Sequence, residues 1–255
     1  MPLLHLKEPQ YSNSVSARLW RACKEEALNS LYHPFVLQLA TGALPKEAFQ
    51  IYITQDAIYL QARLRRESAF ARAYGHALTK APDAEGMRAF HKLMGSALEE
   101  LTLHEAFAEK WGVNLAEAID RDGPLPATRA YTSFLLQIGG DSRSTCADVL
   151  AAMAPCMRLY AFLGTTLAAA AAAANSDTPY RAWIAAYSSP EFGAAAATVE
   201  RLLDKYAAAA GGLGRYDALL AHYRTAMALE YAFFDASGLE AGLKGDPAAL
   251  EVRGD

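Results

Sequence analysis

Cysteine, basic charge and strand-like alternation are all scarce in this 255-residue chain. Its three cysteines, Cys23, Cys146 and Cys156, form an odd set with no C-x-x-C pair, which argues against a disulfide framework or a structural zinc site. Lys and Arg number 24 against 28 Asp and Glu, a net charge of −4. No basic excess exists to neutralise a phosphate backbone, so nucleic acid is not an expected partner. The first ten residues lack a cationic start followed by a long apolar run, so no secretory signal is expected. The alanine-rich stretch 167–174 is too short to span a bilayer. A reducing, cytoplasmic setting without a membrane partner is the expectation. Charged residues make up 20% and hydrophobic ones 53%, a balance that excludes a disordered chain.

What is present is helical periodicity. Apolar residues recur at three- and four-residue steps over 14–31, through Val15, Leu19, Ala22, Cys23, Ala27 and Leu31. His33-Pro34 ends that span as a turn, and a short helical piece follows from Phe35 to Leu39. A long helix opens near Pro45, tolerated in a first turn, and its pattern persists to about Leu78. Further helical spans are predicted at 84–111, 127–138, 146–174, 179–209 with a break at Ser189-Pro190, and 213–234. No stretch has the bounded alternation of a strand. Gly211-Gly212-Leu213-Gly214 follows no strand and reads as a turn, not a dinucleotide fingerprint. The expected fold is all-α, one single-domain bundle of eight to ten helices over 13–236, with 237–255 as a peripheral tail.

Polar residues interrupt this pattern at three places. Asp56 falls on the stripe Phe49, Ile53, Asp56, Leu60, Leu64, where a carboxylate costs several kcal/mol (roughly) unless it is partnered. Tyr52 and Tyr59 flank it on the same helix face. Glu230 is the one acid in the apolar run from Ala226 to Phe234, so it is buried, with a raised pKa or a specific partner. Such a carboxyl can act as a general acid or base near neutrality, or be half of a structural ion pair. Cys156 follows Pro155 inside a helical span, where a thiol can reach a ligand or simply fill the core.

Tyrosine is abundant, 13 in all, and Tyr131, Tyr160 and Tyr187 sit in apolar helical patterns where a phenol needs a partner. Together, phenols and two buried acids suit a flat, neutral, nitrogen-containing heterocycle. Metal chemistry has little support. No His has a Glu three residues before it, and no H-E-x-x-H occurs. The one acid and histidine cluster, from Glu99 to Glu105, reads as a solvated or helix-bracing face. Neither a metal site nor a cofactor is expected.

The stretches His33-Pro34-Phe35-Val36, the run from Gly42 to Phe49, Tyr52-Ile53-Thr54-Gln55-Asp56, Tyr131-Thr132-Ser133-Phe134, Pro155 to Tyr160, Trp183 to Tyr187 and Glu230 to Phe234 occur in an order that resembles the TenA family, the thiaminase II type of aminopyrimidine aminohydrolase. The resemblance covers about residues 20–234. It implies a haem-oxygenase-like helical fold, usually a homotetramer, without haem or metal. It also implies hydrolysis of 4-amino-5-aminomethyl-2-methylpyrimidine, or of thiamin, to 4-amino-5-hydroxymethyl-2-methylpyrimidine for thiamin salvage. By the same resemblance Cys156 is the nucleophile, Glu230 the acid/base, and Asp56, Tyr59, Tyr131, Tyr160 and Tyr187 bind the substrate. The run Pro155 to Gly164 resembles the cysteine-containing plant-type members, which are fused to a phosphatase domain that this chain has no room for. A non-catalytic pyrimidine-binding or regulatory protein on the same fold is the alternative.

Overall fold

In the computed structural model, residues 13–60, 69–174 and 177–239 are described. They form twelve α-helices and one 3-10 turn, with no strand among them. The helices are α1 Val15–Ala22, α2 Lys24–Leu31, α3 Pro34–Thr41, α4 Lys46–Leu60, α5 Ala69–Lys80, α6 Ala84–Lys110, α7 Leu115–Asp122, α8 Pro126–Gly140, α9 Cys146–Ala174, α10 Arg181–Tyr187, α11 Pro190–Ala209 and α12 Tyr216–Asp235. This is the all-α bundle that the periodicity predicts.

The helix count exceeds eight to ten for local reasons. The span 14–31 is two helices, not one, because Cys23 leaves helical geometry at φ −111° and ψ 23°. The Arg224 guanidinium, from α12, donates to the Ala22 carbonyl at 3.0 Å and satisfies a group at that break. Helix α7 went unpredicted, although Asn114 caps it by accepting from the Glu117 N–H. His33 is more than a turn residue: it is buried, and its Nδ1 accepts from the Phe35 N–H at 3.1 Å to start α3. Elsewhere the punctuation is as expected. Ser189 caps α11 ahead of Pro190, and Gly212–Arg215 makes the 3-10 turn. The expected continuity between α4 and α5 falls on residues 61–68, outside the described residues, as does the tail from 240 onward. The Glu99 to Glu105 side chains also lie outside the description.

Helix α9 is the axis of the molecule, packing against α5, α8, α10, α11 and α12. From Cys146 to Ala172 it is apolar and long enough to cross a membrane, but 78% of its most apolar window is buried inside the bundle. Burial in the core therefore accounts for its composition. The 167–174 stretch is only its last turns. The helix continues through Pro155, whose missing N–H removes one intrahelical bond close to Cys156.

Two features set the walls around α9. A Cβ on Gly164 would lie 2.4 Å from the Tyr187 carbonyl carbon and 2.7 Å from the Ser188 nitrogen. Only glycine lets the end of α10 approach α9 this closely. On the other side, Gln55 of α4 donates to the Gly123 carbonyl at 3.0 Å and accepts from the Leu125 N–H at 2.9 Å and the Thr128 hydroxyl at 2.7 Å. That buried amide locks α4 to the start of α8, one residue before Asp56.

Candidate active site

Five helices bring polar side chains to one pocket. Asp56 and Tyr59 reach it from α4, Tyr131 from α8, Cys156 and Tyr160 from α9, Tyr187 from the end of α10, and Glu230 from α12. Phe70, Met157, Phe192 and Phe233 complete the lining. Counted together with the open solvent at its mouth, the space is about 460 Å³.

All seven residues singled out from the sequence therefore meet in one place. Asp56 is 8% exposed and follows the buried Phe49 and Ile53 on the stripe, as the spacing predicts. Glu230 is 2% exposed. Cys156 is the half-buried member, as a thiol open to a ligand must be. Of the four apolar lining residues, the sequence carried a signal for Phe233, three residues after Glu230 and so on the same helix face. Phe70 and Phe192 had none, because an isolated Phe in a helical pattern looks like any core residue.

The polar groups are coupled. The Tyr131 hydroxyl donates to Glu230 Oε1 at 2.7 Å. Burial pushes the Glu230 carboxyl up to about 7; hydrogen bonds from Tyr131 and Cys156 pull it back, and the Asp56 charge adds to the rise. Glu230 is thus placed to take and return a proton near neutrality, with a thiol within hydrogen-bonding reach. Burial also holds the Tyr59, Tyr131 and Tyr160 hydroxyls well above the usual phenol range, so they are neutral donors.

The rings form the walls. Tyr59 packs against Tyr131 with centroids 4.9 Å apart, and Tyr160 against Tyr187 at 4.8 Å. Among the described lining residues there are two carboxyl groups and no Lys, Arg or His. The site favours a ligand that brings amino hydrogens. Among the described residues, no three His, Cys, Asp or Glu side chains gather so as to hold a metal ion.

The fold and the pocket define a class: an all-α bundle enclosing a small-molecule site built from a thiol, two carboxyl groups and four phenols. Residues 20–241 match the model of the TENA/THI-4/PQQC family, and the chain belongs to that family. It is 33% identical over 247 residues to a bifunctional TH2 protein, mitochondrial, of Arabidopsis thaliana, covering 91% of this chain but 38% of that relative. An aminopyrimidine aminohydrolase of Halalkalibacterium halodurans is 34% identical over 177 residues, 69% of this chain and 74% of that one. Among solved structures, a TenA family transcription regulator from Silicibacter superposes with a TM-score of 0.78 at 29% identity, covering 88% of this chain and 96% of that one. A TenA homologue from P. horikoshii has the same fold, with a TM-score of 0.76 at 23% identity.

Proposed function

We propose that this chain is a hydrolase of thiamin-related 4-aminopyrimidines, converting 4-amino-5-aminomethyl-2-methylpyrimidine, thiamin, or both, to 4-amino-5-hydroxymethyl-2-methylpyrimidine. One observation carries this reading: the Cys156 thiol and the Glu230 carboxyl, whose pKa burial raises to about 7, lie within reach of each other in the pocket that Asp56 lines. A nucleophile beside a group able to take and return its proton is the arrangement that covalent catalysis needs. The names of three relatives, aminopyrimidine aminohydrolases of Halalkalibacterium halodurans, Helicobacter pylori and Bacillus subtilis, support the reaction class.

In this mechanism Asp56 accepts hydrogens from the ring amino group and orients the pyrimidine between the tyrosine walls. The Cys156 thiolate, its proton taken by Glu230, adds to ring carbon 6. The electron pair released into the ring expels the substituent on the methylene carbon, as ammonia or thiazole, once Glu230 has returned a proton to the ring or leaving group. Water deprotonated by Glu230 then adds to the exocyclic methylene, and departure of the thiolate restores the aromatic ring. A cytoplasmic homotetramer belongs to the same proposal, and light scattering on the purified chain tests the assembly.

The test is product formation followed by chromatography, with the aminomethylpyrimidine and thiamin offered separately to wild type and to Cys156→Ser. Hydroxymethylpyrimidine from wild type alone supports the hydrolase, and the two rates name the preferred leaving group. Binding of the pyrimidine without turnover by wild type overturns it. That result favours a pyrimidine-binding regulator; the Silicibacter relative is named a transcription regulator.

A further inference from the structure

The polar groups of the pocket continue behind its wall. Trp183 of α10 donates its indole N–H to the Tyr52 hydroxyl at 3.2 Å, and the Tyr52 O–H donates to the Tyr160 hydroxyl at 3.3 Å. All three side chains are buried, at 2–4% exposure, and they come from three different helices. Tyr160 alone of the three lines the pocket.

The first member of this chain has a fixed role. An indole nitrogen carries one hydrogen and offers no acceptor, so Trp183 can only donate. The Tyr52 oxygen accepts from Trp183 with one lone pair, and in the structure the Tyr52 O–H is the donor to Tyr160. The Tyr160 oxygen is occupied as an acceptor, and its own hydrogen is the one the chain leaves over for the pocket. Burial keeps the Tyr52 and Tyr160 phenols protonated, so each has the hydrogen this order requires. Successive donation in one direction also polarises each next hydroxyl, making the last a stronger donor.

We infer that Trp183 and Tyr52 are positioning residues that set Tyr160 as a hydrogen-bond donor toward the ligand, so that this wall selects a heterocycle presenting a ring-nitrogen lone pair. Asp56 accepts from an amino group elsewhere in the pocket, and the two together distinguish an aminopyrimidine from an aminopyridine of the same shape. This inference rests on the aminopyrimidine reading for its ligand, but the relay itself can be read without one.

The rings also pack on their neighbours, Tyr52 against Phe35 and Phe234 for example, so the substitutions keep a ring: Tyr52→Phe, Trp183→Phe and Tyr160→Phe. The chain holds three tryptophans, and 15N labelling of their indoles gives three N–H signals, of which Trp183→Phe identifies one. In ligand-free protein, Tyr52→Phe should shift that signal and speed its hydrogen exchange, and Tyr160→Phe should shift it less. Calorimetry then compares 4-amino-5-hydroxymethyl-2-methylpyrimidine with its two pyridine analogues, each with one ring nitrogen replaced by C–H. Wild type should prefer the pyrimidine over one analogue by about threefold to tenfold, the span of one neutral hydrogen bond. Tyr160→Phe should erase that preference. Tyr52→Phe and Trp183→Phe should shrink it while leaving the affinity for the analogue within about twofold.

A merely structural role predicts equal losses for both ligands, and that outcome overturns the inference. So does an indole signal that ignores Tyr52→Phe. If the indole responds but wild type binds no pyrimidine, the relay stands and the substrate reading fails. If turnover is intact and the indole is silent, the relay fails and the hydrolase stands.

Discussion

Replacing Glu230 by Gln should stabilise the protein at alkaline pH while removing its catalysis. The carboxyl is raised in the folded state from an ordinary value of 4.5 to about 7, chiefly by burial. Between those values the folded chain keeps a proton that the unfolded chain has released, so stability falls as pH rises through this window. Below pH 4.5 the penalty is absent, and above about 7 it is complete. A displacement of this size corresponds to roughly 3 kcal/mol. The amide keeps an oxygen to accept from Tyr131 but brings an N–H2 group that needs partners, which offsets part of the gain. Glu230→Gln should therefore be about 1–3 kcal/mol more stable than wild type at pH 8.5, and within about 1 kcal/mol of it at pH 5. Denaturant titrations of both proteins across that range, at one protein concentration, measure the difference directly. Parallel pH profiles would refute the reasoning, because they would mean that Glu230 titrates alike in the folded and unfolded chains.

Three other perturbations test neighbouring links. Gly164→Ala forces the α9 backbone away from Tyr187 and Ser188, so it should destabilise by about 1–3 kcal/mol and raise KM more than it lowers kcat; thermal unfolding and steady-state kinetics check the two parts. Asp56→Asn should weaken pyrimidine binding by roughly tenfold, on the order of a charge-assisted hydrogen bond, with little change in unfolding midpoint; calorimetry with the hydroxymethylpyrimidine reads it. Asp148, 1% exposed at the start of α9, accepts from Arg215 at 2.8 and 2.9 Å and from the Thr145 N–H and hydroxyl, each at 2.7 Å. Burial alone would raise its pKa, but His222, Thr145 and Arg215 hold the carboxyl well below its usual range. Asp148→Ala should destabilise by about 3 kcal/mol near neutral pH. The difference should narrow only in strong acid, because a depressed folded-state pKa gives stability that is lost as pH falls through it. An unfolding midpoint unchanged at neutral pH would contradict this.

The sequence by itself determined most of the helices and the oddity of two acids. Helical periodicity is local, so 84–111, 146–174 and the break at Ser189-Pro190 could be read from spacing and capping alone. Asp56 and Glu230 stood out because an unpartnered carboxylate on an apolar face is too unfavourable to be incidental. The order of motifs pointed to the family and named all seven residues that meet in the pocket. Tertiary structure decided what those residues are to one another. Asp56, Tyr131, Cys156, Tyr187 and Glu230 come from five helices, and no spacing along the chain encodes the Tyr131 bond to Glu230 or the contact of thiol with carboxyl. The split at Cys23 was invisible because its stabilising donor, Arg224, lies some two hundred residues away. Phe70 and Phe192 became pocket residues by packing alone. Tyr52 and Tyr160 stood out in the sequence as phenols in need of partners and Trp183 did not, but only their meeting across α10, α4 and α9 links their hydrogens. Local spacing sets which side chains are buried; contacts between distant segments set the partners that turn buried groups into chemistry.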